Sequence, residues 1–175
     1  MRSGEFTTSP SQDPDECALL VTDVAVDSRQ DPQVLTVLLQ RSKSDQFGAG
    51  THLYLGRTGN TLCPVSALLA YLAIRPSTPG PLFVFQDGTP LSRRQLVLHL
   101  RDALSQIGID VTNFSGHSFR IGAASTAAKA GLSDSFIQKL GRWKSDAFTA
   151  YIRTPANDLA AASAVLSQVE GSQSE

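Results

Sequence analysis

The sequence predicts an α+β fold that is mainly α, with a small antiparallel sheet of about three strands packed on a larger helical part. Three observations lead to this fold class. Runs rich in Val, Leu and Thr lie within residues 18–56, and apolar residues recur at helical spacing from Cys63 onward. In the last third, serines that suit helix N-caps alternate with glycines that suit helix ends. At 175 residues the chain is long enough for one domain with its own core.

Three segments are predicted as strands. They are residues 18–26, 33–40 and 51–56, in which β-branched and other apolar residues are frequent. The polar, Gly-bearing stretch 41–50 predicts a hairpin tip between the second and third strands. The Pro/Ser/Asp-rich stretch 7–16 ahead of them is predicted as a loop.

The helices are predicted from apolar spacing and from their end signals. Pro64 suits the first turn of a helix that continues to residue 74, and Ser92 suits the N-cap of a second helix, closed by Gly108. The helical segments predicted in the last third are 115–131, 132–141, 144–155 and 156–168. The Ser/Gln/Glu-rich tail at 169–175 is expected to fray.

Composition and charge exclude several classes of protein. No apolar run approaches the roughly 20 residues of a membrane span, and no signal peptide is recognisable, so we expect an intracellular protein, nuclear or cytoplasmic. The two cysteines form no disulfide or metal-ligand pattern. A net charge of -1 argues against a generally basic nucleic-acid binder, but residues 111–153 carry +4 while residues 1–30 carry −4. The basic segment indicates either a local anion site or an ordinary solvated helix face.

Two groups of residues in the basic segment could act on a phosphate. His117 and Arg120 are three apart at a predicted helix start, where an imidazole and a guanidinium could share an anion. Alternatively, His117 is a cap or core residue and Arg120 a surface ion pair. Further along, Arg142 and Trp143 precede Tyr151, which could be a half-buried packing residue or a nucleophile supported by nearby cations.

The ordered motifs HSFR, LGRW and AYIR within residues 117–153 resemble the catalytic domain of tyrosine recombinases and phage-type integrases. The surrounding stretches LCPVSALLAYLAI, GPLFVFQDGTPLS, SGHSFRIGAAS and GRWKSDAFTAYIRTP are most similar to the eukaryotic mobile-element recombinases of the DIRS, Ngaro and Crypton types. The resemblance covers nearly the whole chain. It implies a catalytic domain at residues 1–175 that is truncated at its N-terminus and lacks the core-binding domain that clamps DNA.

The resemblance also implies a set of catalytic residues. These are Arg2, Lys43, His117, Arg120, Trp143 and Tyr151. Lys43 is assigned from the predicted hairpin, and Arg2 from a turn ahead of the sheet, although RSGEF could also be a vector-derived leader. The position that holds His or Trp in the family is assigned to Trp143, with Arg142 as the alternative.

The activity implied is DNA strand cleavage and rejoining through a 3′-phosphotyrosyl link on Tyr151, with double-stranded DNA as partner and without cofactor or metal. Two alternatives remain open at the level of sequence: a non-catalytic remnant or domesticated domain that binds DNA or protein, and a helical scaffold in which the motif order is accidental. A homo-oligomer formed through the C-terminal segment 156–168 is also implied by the family, although this segment could instead fold back on its own domain.

Overall fold

The structure is a computed structural model that describes residues 1–8, 18–40 and 50–152. The hairpin tip that carries Lys43, most of the 7–16 loop and the 156–168 segment lie outside these ranges. The chain divides into two compact units, Met1–His117 and Ser118–Glu175, and each is described by itself.

The first unit contains an antiparallel sheet of three strands in the order β1-β2-β3. The strands are β1 Val24–Val26, β2 Val34–Leu39 and β3 Thr51–Gly56. Alternate residues of β2 are buried, namely Leu35, Val37 and Leu39, because successive side chains of a strand point to opposite faces. They meet Val65 and Leu68 of the following helix in one apolar core.

The helices of the first unit begin and end at the residues that the sequence indicates. Helix α1 covers Pro64–Ile74, and helix α2 covers Arg93–Gln106. The Ser92 hydroxyl accepts the Gln95 N–H, and the Gln95 side chain accepts the Ser92 N–H, which forms a reciprocal capping box. Gly108, just after α2, has a φ of +76°, a left-handed conformation that glycine adopts without a Cβ penalty.

The second unit is helical in its described part. It contains α3 Ser118–Lys129, α4 Asp134–Gly141 and a 3₁₀ segment, Asp146–Tyr151. The buried side chains at its centre are Ala124, Ala127, Ile137 and Phe148. Small residues on α3 allow the aromatic ring of Phe148 to pack against the helix, and this packing anchors the 3₁₀ segment.

The observed fold confirms the predicted class and corrects three element boundaries. The predicted first strand, 18–26, is a strand only over its last three residues, because Val21–Asp23 forms a 3₁₀ turn in which the Asp23 carboxylate accepts the Leu20 N–H. The helix predicted from Ser115 begins at Ser118. The predicted helix 144–155 is a 3₁₀ segment over its described part. None of the helices in the described ranges is long and apolar enough to cross a membrane.

Cys63 caps the N-terminus of α1 with its sulfur. The thiol is buried and accepts the backbone N–H groups of Ser66 and Thr58, at 3.5 and 3.3 Å. Hydrogen bonds from Ser66, through its side chain and then its backbone, and from the Thr58 backbone lower the pKa of Cys63 from 9.0 to about 6. The folded protein therefore favours the thiolate at the cap.

Replacing Cys63 by alanine should destabilise the protein more at pH 9 than at pH 6. Because the folded pKa lies below the unfolded one, the thiolate contribution is present above about pH 9 and disappears as the pH falls towards 6. Urea unfolding of Cys63→Ala and its parent at both pH values measures this, in a Cys17→Ala background that excludes disulfides. An equal loss of stability at the two pH values would contradict the capping thiolate.

Candidate active site

Arg2 stands directly before a 3₁₀ turn, Ser3–Glu5, at the start of the chain. The buried Glu5 carboxylate accepts the Arg2 backbone N–H at 2.6 Å and lies 3.6 Å from the Arg2 guanidinium nitrogen Nη1. A residue and its neighbour three positions on lie side by side in such a turn, so the carboxylate holds both ends of Arg2. The turn is thus part of the first unit's fold.

The turn that carries Arg2 packs against the segment that carries His117. A Cβ atom on Gly116 would lie 2.7 Å from Ser3 Oγ and 3.0 Å from Ser3 Cβ, so any larger residue here would require the Ser3 side chain to move. His117 itself is exposed, and its N–H donates to the Ser115 hydroxyl at 3.2 Å. Arg101 on α2 donates from Nε to the Phe114 carbonyl at 2.9 Å. This hydrogen bond fixes the backbone just before the segment that carries His117.

Arg120 is a buried cation on the first turn of α3. Only 7% of the residue is exposed. Its Nη2 donates to the Gly141 carbonyl at 2.9 Å, and its Cζ lies 4.3 Å from the centroid of the Trp143 ring. The carbonyl and the π face both favour the positive charge, which would otherwise be costly to bury.

Trp143 joins Arg120 to Tyr151 through its ring. The Trp143 and Tyr151 ring centroids are 5.9 Å apart with planes tilted by 33°, and Phe148 lies 6.0 Å from Trp143 on the buried side. Arg142 adopts the left-handed conformation, with a φ of 53°. Of the two alternatives for the His or Trp position, Trp143 is therefore the one with a ring in contact with both Arg120 and Tyr151.

Gly141 allows this stack to form. A Cβ atom at residue 141 would overlap the six-membered ring of Trp143, so the indole lies directly on the glycine backbone. The carbonyl of the same glycine accepts the Arg120 hydrogen bond. One residue thus provides both the space for the indole and an acceptor for the guanidinium.

The structure brings together three of the six predicted site residues in the second unit, namely Arg120, Trp143 and Tyr151. Arg2 and His117 belong to the first unit, and Lys43 lies outside the described residues. Sequence reasoning missed the roles of Glu5 and Gly141. An Arg and a Glu three apart in a predicted turn could have indicated the role of Glu5. Nothing in the sequence reveals that an indole covers Gly141. Within the described ranges, no three His, Cys, Asp or Glu side chains are grouped closely enough to hold a metal ion.

The arrangement of a three-stranded antiparallel sheet followed by helices is shared with solved recombinases. The fold is similar to XerH site-specific recombinase bound to difH substrate in a pre-cleavage complex, with a TM-score of 0.59 and 16% identity over 89% of this chain and 42% of that one. A post-cleavage XerH complex gives a TM-score of 0.66 at the same identity and coverage. XerA recombinase gives a TM-score of 0.61 at 21% identity, over 81% of this chain and 47% of that one.

The chain belongs to the phage integrase family, whose model matches residues 61–157. It is also 29% identical over 122 residues to an integrase/recombinase xerD homolog of Selenomonas ruminantium, which corresponds to 66% of this chain and 36% of that protein. The chain therefore spans less than half the length of these relatives. The family match contains His117, Arg120, Trp143 and Tyr151, whereas Arg2 and Lys43 precede it.

Alanine substitutions at two glycines of the second unit should have opposite effects. Gly141→Ala should destabilise the protein by about 1–3 kcal/mol, because its methyl group would displace the Trp143 ring. Gly122→Ala on α3 meets nothing within 4 Å and should stabilise by about 0.5–1 kcal/mol through helix propensity. Thermal unfolding measures both.

Fluorescence of Trp143, the single tryptophan, gives a second measurement of the Gly141→Ala effect. Its emission should move to longer wavelength in this variant and stay unchanged in Gly122→Ala. Parental stability and emission in Gly141→Ala would show that the indole does not cover the glycine.

Proposed function

We propose that the chain cleaves and rejoins DNA strands through a covalent 3′-phosphotyrosyl intermediate on Tyr151. The observation that carries the proposal is the stack of Arg120, Trp143 and Tyr151 in the second unit. It groups a fixed guanidinium, an indole and a phenol, which are residues of the kind that phosphoryl transfer to tyrosine requires. Membership of the phage integrase family supports the same activity.

In the proposed mechanism, the Tyr151 hydroxyl oxygen attacks the scissile phosphorus while its proton passes to His117. The P–O5′ bond breaks, and Lys43 protonates the departing 5′ oxygen, which leaves a 5′-hydroxyl and a 3′-phosphotyrosyl ester. Attack by a 5′-hydroxyl on this ester re-forms the P–O5′ bond and breaks the bond to Tyr151, whose hydroxyl is restored. No oxidant, nucleotide or metal is needed to balance either step.

Arg120 and Arg2 are proposed to bind the non-bridging phosphate oxygens. A guanidinium is planar and offers five N–H donors, so it can bind an oxygen while part of the group is held by the protein. The bond from Arg120 Nη2 to Gly141 and the Trp143 ring fix the plane of that guanidinium. Fixing the donors before the charge develops is what lowers the barrier.

DNA affinity is proposed to be weak and to depend strongly on salt. Several arginines of the first unit donate to backbone carbonyls, namely Arg57 to Pro32, Arg75 to Leu82 and Arg101 to Phe114. Their guanidinium groups stabilise the fold, in a chain whose net charge is already -1. Non-specific affinities of about 10⁻⁴–10⁻⁶ M at physiological salt are the expected range.

We also propose that the chain derives from the eukaryotic mobile-element recombinases of the DIRS, Ngaro and Crypton types. It depends on the sequence around the motifs, above all SGHSFRIGAAS and GRWKSDAFTAYIRTP. The first lies at the start of α3, and the second connects α4 to the 3₁₀ segment that carries Tyr151. The two stretches therefore contain Arg120, Trp143 and Tyr151 themselves.

A nicked suicide duplex should trap a covalent adduct, because the short fragment below the nick diffuses away and rejoining cannot follow. We would fuse a heterologous DNA-binding domain upstream of Met1 and place its recognition site beside a randomised segment in the duplex. Tyr151→Phe keeps the ring on Trp143 but lacks the attacking oxygen, so it should form no adduct. Arg120→Lys, which keeps the charge but loses the planar fork, should lower the rate by roughly 10²–10³.

Two controls make the adduct result decisive. EDTA should leave the rate unchanged, and anisotropy should show that all variants bind the duplex equally through the fused domain. An adduct that persists in Tyr151→Phe would exclude Tyr151 as the nucleophile. A fusion that binds tightly and forms no adduct would favour the non-catalytic remnant.

The C-terminal segment is proposed to dock on a second copy of the chain. The sequence predicts a helix here, in which Leu159, Ala162, Val165 and Leu166 would form one apolar stripe. The second unit also exposes apolar side chains that could receive such a stripe: Leu132, Phe136 and Leu140 are 41%, 54% and 57% exposed. Exposed apolar surface of this kind is typical of interaction sites.

Light scattering should therefore show a higher mean mass for the full chain than for a variant that ends at Pro155. Val165→Asp, which charges the apolar stripe, should act like the truncation, whereas Ala164→Asp, on the opposite face of such a helix, should not. Equal masses for all four proteins would indicate that the segment folds back on its own domain.

A further inference from the structure

The segment that carries Tyr151 ends with a carbonyl group that needs a donor. It is a 3₁₀ segment of six residues, Asp146–Tyr151, and the last carbonyls of a helical segment have no partner within it. The Tyr151 carbonyl accepts a hydrogen bond from the Ser125 hydroxyl, at 2.9 Å. The donor is 26 residues away in the chain, on α3.

The hydrogen bond of the Ser125 hydroxyl to Tyr151 is unusual for a serine within a helix. Such a hydroxyl commonly bonds the carbonyl one turn earlier in its own helix or points to solvent. Here it bonds a different element of the same unit, next to Ala124, which is buried against Phe148. The 3₁₀ segment is thus attached to α3 twice, by an apolar contact at Phe148 and by a hydrogen bond at Tyr151.

Arg120 and Ser125 lie on the same helix. Arg120 orients the guanidinium at the start of α3, and Ser125, five residues later, fixes the backbone of the residue whose phenol would attack. Because α3 is a rigid element, a bond from Ser125 fixes Tyr151 relative to Arg120. The Trp143 ring, 5.9 Å from that of Tyr151, contacts the phenol side chain, whereas the Ser125 hydrogen bond acts on the backbone.

We propose that Ser125 is a positioning residue for Tyr151, whose hydroxyl sets the nucleophile's backbone through the Tyr151 carbonyl. The inference rests on the proposed function for its catalytic consequence, while the anchoring itself is a property of the fold. A reacting group displaced by about 1 Å can lose roughly 10²-fold in rate, so one backbone hydrogen bond is enough to matter.

Ser125→Ala tests the proposal with little risk to the helix. Alanine has the higher helix propensity, so α3 itself should not weaken. The matched control is Thr126→Ala, which removes a hydroxyl from the adjacent, exposed position of the same helix. Both variants are prepared in the full chain and in the fusion with the heterologous DNA-binding domain.

Hydrogen exchange measures the anchoring without DNA. In Ser125→Ala, amides of the peptide that covers residues 146–152 should exchange roughly three- to tenfold faster, the effect of losing one hydrogen bond. Peptides from α4 should exchange at the parental rate, and Thr126→Ala should match the parent throughout. Parental exchange of residues 146–152 in Ser125→Ala would overturn the proposal.

The suicide duplex measures the consequence for chemistry. At saturating DNA, Ser125→Ala should form the adduct at least about tenfold more slowly, while the dissociation constant for duplex stays within about twofold of the parent. An unchanged rate, or a loss of affinity that accounts for the slower reaction, would overturn the positioning role. If the parental fusion forms no adduct, the proposed function fails, and the exchange experiment alone decides whether Ser125 anchors Tyr151.

Discussion

The second unit depends on how it accommodates one buried cation, the guanidinium of Arg120. A buried charge without partners is strongly unfavourable, and here the partners are the Gly141 carbonyl and the face of the Trp143 ring. The Gly141 carbonyl belongs to the last residue of α4 and Trp143 follows two residues later, so the charge on α3 is bound to the segment where α4 ends. The Trp143 ring then lies beside Tyr151, which means that the nucleophile proposed here is packed, through one indole, against the cation proposed to bind its target.

The chain reversal after α4 explains why this arrangement is possible. Helix α4 ends at Gly141, and Arg142 takes a left-handed conformation that turns the backbone back towards the helix. A non-glycine residue pays roughly 1–2 kcal/mol for that conformation, so packing must compensate it. The compensation is the Trp143 indole on the glycine backbone, which also excludes any side chain at residue 141. The left-handed conformation of Arg142 and the missing side chain of Gly141 therefore both serve to place the Trp143 indole on the helix end.

The fold could be predicted from local signals, whereas the site could be predicted only as a set of residues. The strand alternation in β2, the Pro64 start of α1 and the Ser92 cap of α2 act over a few residues, so sequence reasoning found them. The 3₁₀ turn at Val21–Asp23 was missed because it depends on the Asp23 carboxylate reaching the Leu20 N–H. The bond between Ser125 and Tyr151 joins residues 26 apart, and no local pattern indicates it. Long-range contacts of single polar atoms are where reading a sequence reaches its limit.

The near-neutral charge of the chain and the proposed chemistry are compatible because affinity and catalysis have different requirements. Affinity for duplex DNA grows with the number of phosphates that Lys and Arg neutralise, so it needs many cations on the surface. Transition-state stabilisation needs few donors, provided that they are fixed before the reaction begins. In this chain Arg57, Arg75 and Arg101 stabilise backbone segments, and Arg120 is fixed by an indole and a carbonyl. These four arginines thus contribute to order more than to surface charge, and a fixed guanidinium such as that of Arg120 is what the proposed chemistry requires.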